Sequence, residues 1–250
     1  MMEKYGMAID AHCHLEMFDN PQVTVTESLE NGLAAIITSG WSLKSSILSS
    51  ELTSIDGVFA SIGVGPEEMP PEGYLEKLEG LAKHNSKIVA IGEIGLDAKA
   101  IEKISIDAQK ELFISQLDLA ESLHMPAVIH SRGDGMLHEI IKILEDKGTA
   151  KAMFHFFGGN EEDAKKLERD GYILSIPPLE SSRLKRVIRT VDVESLVAET
   201  DAPFVGKKPT DSINVVRKIS EFKGKGFEDV GFIIKQTIKD YFGIIIKEGP

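Results

Sequence analysis

Residues 7–18 read MAIDAHCHLEMF, an apolar run that ends on two histidines one residue apart. In an extended strand, residues i and i+2 point to the same face. His12 and His14 then project together, and Cys13 points away as a buried thiol. Two adjacent imidazoles make a poor apolar core and a good half of a metal site. Asp10 lies on the face of His12 but deeper, and reads as a polar core group or an outer partner of a ligand.

The same design recurs along the chain. Short, β-branched apolar runs stand at 33–40 (LAAIITSG), 58–65 (VFASIGVG), 88–95 (IVAIGEIG), 127–131 (AVIHS), 151–157 (KAMFHFF), 172–177 (YILSIP) and 195–201 (SLVAETD). Helix-like stretches separate them. In 105–124 (SIDAQKELFISQLDLAESLH), Leu112, Leu117, Leu119, Ala120 and Leu123 fall near helical spacing behind Ser105 as an N-cap. A second, 135–148 (GMLHEIIKILEDKG), stops at Gly148. Eight strand–helix units, with strands apolar on both faces, predict an α/β parallel sheet closed into a (β/α)8 TIM barrel, one domain over residues 1–250. A doubly wound open sheet competes less well, because no glycine-rich phosphate loop follows the first run. Two further helices, 211–223 and 227–242, are expected to close and cover the barrel.

The bulk composition narrows the classes of function. A single cysteine excludes an internal disulfide framework and a multi-cysteine zinc site, and suits a reducing, cytoplasmic setting. No signal peptide is expected, and no apolar run nears the roughly 20 residues that span a bilayer. The formal net charge of −12 argues against a broadly basic nucleic-acid surface. It leaves room for a local site where metal ions bring the positive charge. No obligate protein partner is indicated.

In a barrel of this kind, chemistry sits at the carboxyl ends of the strands. The polar residues fall there. The first run ends in His12 and His14, the fourth in Glu93, the fifth in His130, the sixth in His155, and the eighth in Glu199 and Asp201. With Glu199 set aside, four imidazoles and two carboxylates exceed the needs of one open tetrahedral ion. They suit two divalent cations roughly 3.5–4 Å apart sharing a bridging carboxylate. Glu93 is the expected bridge, with His12, His14 and Asp201 at one ion and His130 and His155 at the other. Nitrogen and carboxylate donors favour Zn²⁺, Mn²⁺, Fe²⁺ or Ni²⁺ over Mg²⁺. Glu199 is expected to orient a histidine rather than bind an ion. His84, His124 and His138 fall in helical stretches as surface residues, and Asp97, just past the fourth strand, reads as a loop cap.

The segments DAHCHLE, GEIGLD, PAVIHSR, MFHFFGG and ETDAPF, in order between residues 10 and 204, resemble the signature segments of the TatD-related metal-dependent hydrolases, within the amidohydrolase-like barrel superfamily. The resemblance implies a TIM barrel with two divalent ions (Zn, Mn or Mg), His12, His14, Glu93 and Asp201 at one and Glu93, His130 and His155 at the other. It implies metal-dependent DNase action on DNA or a small phosphodiester. The segment GVGPEE departs from the family, placing Gly65 and Glu67 where a substrate-site histidine is usual. GLDAKA lacks an aromatic pair, HFFGGN lacks the usual Cys or Ser, and the loop FVGKKPTDS is short and offers only Lys207 and Lys208.

The expected nucleophile is a metal-bound hydroxide, with Asp201 moving the proton and Arg132 contacting phosphate. The competing role for Arg132 is a surface ion pair. The competing functions are amide or lactone hydrolysis, which related barrels support with a carboxylated lysine absent from the fourth run here, and a non-catalytic metal-binding barrel.

Overall fold

The computed structural model describes residues 6–246. Eight parallel strands follow one another around a nearly closed barrel: β1 (Ala8–Cys13), β2 (Leu33–Ser39), β3 (Val58–Ile62), β4 (Ile88–Asp97), β5 (Ala127–Arg132), β6 (Ala152–Phe154), β7 (Ile173–Ile176) and β8 (Leu196–Ala198). All eight apolar runs are strands. The strand residues are almost all buried, as a wall between a packed interior and a ring of helices requires. Each fully buried Ile or Leu of that wall contributes about 1.5–3 kcal/mol by leaving water.

The helices are α1 (Pro21–Glu30), α2 (Leu43–Leu52), α3 (Tyr74–His84), α4 (Ile106–Ser122), α5 (Met136–Lys147), α6 (Glu161–Arg169), α7 (Ser182–Thr190), α8 (Asp211–Lys223) and α9 (Phe227–Phe242). The Ser105 hydroxyl accepts the Ala108 N–H at the start of α4, and Gly148 ends α5 in the left-handed region at φ 67°. The last two helices span the expected 211–223 and 227–242 and pack against β1 and β8. They cover the seam where the barrel closes. There, Asp201 N–H donates to His12 O at 2.9 Å and His14 N–H donates to Ala202 O at 2.8 Å. Asp10 ties the same seam from inside, accepting the Thr200 N–H at 2.9 Å and its hydroxyl at 2.5 Å. Asp10 is therefore a closing group of the barrel.

The fourth strand runs further than its apolar pattern shows. It continues through Leu96 to Asp97, so Glu93 lies inside β4 and Asp97 is its last residue. The register against β5 slips between Ile91↔Ala127 and Ile94↔Ile129, one extra residue in β4 at Gly92–Glu93. Such a bulge re-aims the side chain it carries, here Glu93. Both flanking glycines are required. A Cβ on Gly92 would lie 2.5 Å from Val128 Cβ, and one on Gly95, at φ 149°, would lie 1.9 Å from His130 O.

Two buried glutamines of α4 hold neighbouring strand ends. Gln109 Oε1 accepts Asp97 N–H at 2.8 Å while its Nε2 donates to Asp97 O at 3.1 Å. Gln116 makes the same pair of bonds to Val64, both at 2.8 Å. Each side-chain amide supplies the donor and acceptor that a neighbouring strand would have supplied. Among the described residues, no helix is long and apolar enough to cross a membrane.

Candidate metal centre

The residues named from strand ends meet at one mouth of the barrel, around Glu93. Its two oxygens face different partners. Oε2 lies 3.5 Å from His12 Nε2 and 3.9 Å from His14 Nε2. Oε1 lies 2.6 Å from His130 Nδ1 and 3.0 Å from His155 Nε2. Asp201 Oδ1 stands on the first side, 3.1 Å from His14 Nε2 and 3.9 Å from His12 Nε2. The rings of His12 and His155 stack at 4.0 Å between centroids. Asp201 sits in the left-handed region at φ 49°, which aspartate tolerates better than most residues.

Three of the four imidazoles are hydrogen-bonded from behind through the second nitrogen, and the fourth, His155, faces a carboxylate there beyond hydrogen-bond distance. His14 Nδ1 donates to Ser39 O at 2.7 Å, which leaves Nε2 as its acceptor nitrogen when the ring is neutral. His12 Nδ1 lies 3.1 Å from Ser39 Oγ. His130 Nε2 lies 3.1 Å from Asp97 Oδ2, and His155 Nδ1 lies 3.7 Å from Glu199 Oε2. Glu199 is itself held by the Phe156 N–H, which donates to Oε1 at 2.7 Å. Outer partners of this kind fix ring orientation and tautomer at metal centres.

Ser39 is not among the expected site residues, although it ends the second run, where the rule that singles out the histidines applies equally. Asp97 does more than cap a loop: Oδ1 accepts the Lys99 N–H at 2.7 Å, and Oδ2 holds both His130 and Arg132. Glu16 is also unforeseen. It is buried beside His14, with Oε1 3.8 Å from Nδ1, and Oε2 accepts from the Thr38 and Ser49 hydroxyls. His124 lies beyond α4, in a left-handed turn at φ 55°, rather than in the helix. His84 and His138 are exposed on α3 and α5, and Cys13 is fully buried.

The electrostatics describe a cluster short of positive charge. Burial alone would raise the Glu93 carboxyl, and the imidazoles of His155, His12 and His130 overcome it and hold the group well below the usual range. Burial likewise opposes charge on His14, but Asp201, Glu16 and Glu93 push its pKa up to about 10. His155 and His130 shift upward too, against burial, through Glu93 with Glu199 and through Asp97 with Glu93. His12 shifts downward, through burial and the neighbouring His155. Protons therefore collect where cations fit.

The donor set fits a metal ion: His12 Nε2, the ring nitrogen that faces Glu93, is buried without a hydrogen-bond partner. Such an orphaned atom is costly unless something else satisfies it. Ligand atoms of His12, His14 and Glu93 lie within 4.8 Å of one another, as do those of Glu93, His130 and His155, and of His12, His155 and Glu199.

The cluster forms part of the wall of a cavity of about 750 Å³ that opens to solvent. Trp41, Phe156 and Phe204 supply aromatic walls, and Arg132, Arg183, Glu67 and Asp134 the charged ones. None of the three aromatics, nor Arg183, stands out in the sequence. They lie on loops beyond the strands or, for Arg183, at the start of α7. Arg132 is not free for a ligand: it pairs with Asp97 at 2.6 Å and with Glu67.

Comparison with known proteins agrees with this architecture. The chain matches the family described as TatD related DNase over residues 9–243. It is 32% identical over 246 residues to an uncharacterized metal-dependent hydrolase of Methanocaldococcus jannaschii, covering 94% of this chain and 96% of that one. It is 28% identical over 261 residues to a human deoxyribonuclease, TATDN3, covering 94% of each. The crystal structure of YjjV, a TatD homologue from Escherichia coli, superposes with a TM-score of 0.86 over 96% of this chain and 99% of that one, at 22% identity. With a family match over almost its whole length and a relative above 30% identity, the chain belongs to the TatD-related family of metal-dependent hydrolases.

Proposed function

We propose that the chain is a single-domain, two-metal phosphodiesterase whose substrate is DNA or a smaller phosphodiester. In this reading, His12, His14 and Asp201 hold one divalent cation, His130 and His155 hold the other, and Glu93 serves both. The observation that carries it is the division of Glu93: one oxygen faces one pair of imidazoles, and the other oxygen faces the second pair. The three braced rings of His12, His14 and His130 and the orphaned His12 Nε2 support it. The deoxyribonuclease names among the relatives bear on the substrate. Nitrogen-rich donors favour Zn²⁺ or Mn²⁺ over Mg²⁺.

Bound divalent cations would acidify water and offset the negative charge that develops on a phosphoryl oxygen. The rest falls to the chain. Asp201, at the cavity wall, accepts the proton of the attacking water on its carboxylate and returns it to the leaving oxygen. Ser39 and Asp97 keep the imidazoles of His12, His14 and His130 aimed, so these rings need not turn as charge develops. Trp41, Phe156 and Phe204 line the cavity and offer flat faces on which bases would stack.

The test is Glu93→Gln, which keeps the shape and removes the charge, beside dialysis against chelator and readdition of Mn²⁺, Zn²⁺ or Mg²⁺. Metal content and hydrolysis of single-stranded DNA should fall together. If both survive in Glu93→Gln, the bridging role is wrong.

A further inference from the structure

Arg132 ends β5 and is one of two arginines, with Arg183, at the cavity wall, where a substrate phosphate would lie. Two carboxylates already hold it, and they differ in kind. Asp97 is fully buried and anchored by His130 and the Lys99 N–H, so it stays. Glu67 is 48% exposed and reaches Arg132 from the loop after β3. That loop is a built one. Lys103 Nζ donates to Glu67 O at 2.6 Å and lies 3.6 Å from the Glu68 carboxylate. Gln116 holds Val64, three residues before Glu67, by two hydrogen bonds. The backbone is thus fixed while the Glu67 carboxylate can leave for solvent.

We propose that Glu67 is a specificity-determining residue: a tethered anion that occupies Arg132 in the free protein and competes there with substrate phosphate. The inference rests on the phosphodiester reading above. With both carboxylates in place, one guanidinium charge faces two negative charges. An incoming phosphate must displace Glu67 or accept its repulsion. A dianionic phosphate monoester suffers more than a monoanionic diester, so the site turns away terminal phosphates and free phosphate product more strongly than internal diester linkages. Displacement itself is mild, because exposed ion pairs are weak.

The experiment titrates inorganic phosphate and dimethyl phosphate into the purified wild-type protein, Glu67→Gln, Glu67→Ala and the double variant Glu67→Gln/Arg132→Gln. Binding is followed by calorimetry, with KM and kcat on bis(p-nitrophenyl) phosphate beside it. Glu67→Gln and Glu67→Ala should bind inorganic phosphate about three- to tenfold tighter and dimethyl phosphate about twofold tighter, with the KM change larger than the kcat change. The double variant should lose the gain. A gain in affinity cannot come from a damaged fold. Unchanged or weaker phosphate binding in both single variants overturns the inference. So does a gain that persists without Arg132. Tighter phosphate binding in a protein that cleaves no phosphodiester would support the role of Glu67 and sink the phosphodiesterase reading instead.

Discussion

Asp97 Oδ2 lies 3.1 Å from His130 Nε2, on the far side of the ring from Glu93, whose Oε1 lies 2.6 Å from His130 Nδ1. One imidazole is thus held between a buried structural carboxylate and the carboxylate at the centre of the cluster. Removing an outer partner of this kind costs metal affinity on the order of 10–100-fold. Asp97→Ala should lower the affinity of the His130 side of the site by about that factor, read by competition with a chelator of known affinity. Asp97→Asn, which keeps an acceptor oxygen, should lose less. Equal affinities across the three proteins would remove Asp97 from the site.

The metal-free protein should lose stability as pH rises above neutrality. His14 has its pKa raised from 6.5 to about 10 in the folded state. A raised folded pKa adds stability that is fully present below about pH 6.5 and disappears as pH climbs through about 10. His130 and His155 act in the same direction, and His12 against it. Thermal melts of chelated protein should therefore show Tm falling across that window. Cations that bind must expel these protons, so metal affinity should rise with pH and proton release should appear in calorimetry with two buffers. A flat Tm profile of the chelated protein would contradict the raised His14.

Gln109 should matter to stability out of proportion to its polarity. It is fully buried, and its amide satisfies both backbone groups of Asp97. Gln109→Ala leaves a buried N–H and C=O unpaired, at about 1–3 kcal/mol, read as a shifted urea midpoint. Gln109→Glu keeps the acceptor for the Asp97 N–H but sets a buried carboxylate against the Asp97 and Ile104 carbonyls, so at neutral pH its midpoint should fall at least as far as that of Gln109→Ala.

Glycine substitutions should separate close approach from mere flexibility. Gly95→Ala drives a Cβ into His130 O and should cost more than about 4 kcal/mol or abolish soluble protein. Gly80 lies within α3, where an added Cβ would meet nothing within 4 Å, and Gly80→Ala should stabilise by about 0.5–1 kcal/mol. Paired denaturation curves decide this. A tolerated Gly95→Ala would mean that β4 can stand off from β5.

The barrel and the gathering of its ligand-type residues were legible from the linear pattern. A strand buried on both faces must be apolar throughout, so His12, His14, Glu93, His130, His155, Glu199 and Asp201 stand out as interruptions near the carboxyl ends of the runs. Parallel order then sends them all to one rim. The tertiary structure alone decided which nitrogen of His12, His14 and His130 turns inward, because that follows from Ser39 and Asp97, which approach from another strand or from beyond a bulge. It alone decided that the Glu93 oxygens part between two pairs of imidazoles, since the slip at Gly92–Glu93 is a relation of β4 to its neighbour β5. It alone brought Glu67 to Arg132 across 65 residues of chain, a contact between loops with no periodic signature. Period and composition are set by burial, which neighbouring residues share. Orientation and pairing are set by distance in space, which the order of residues does not carry.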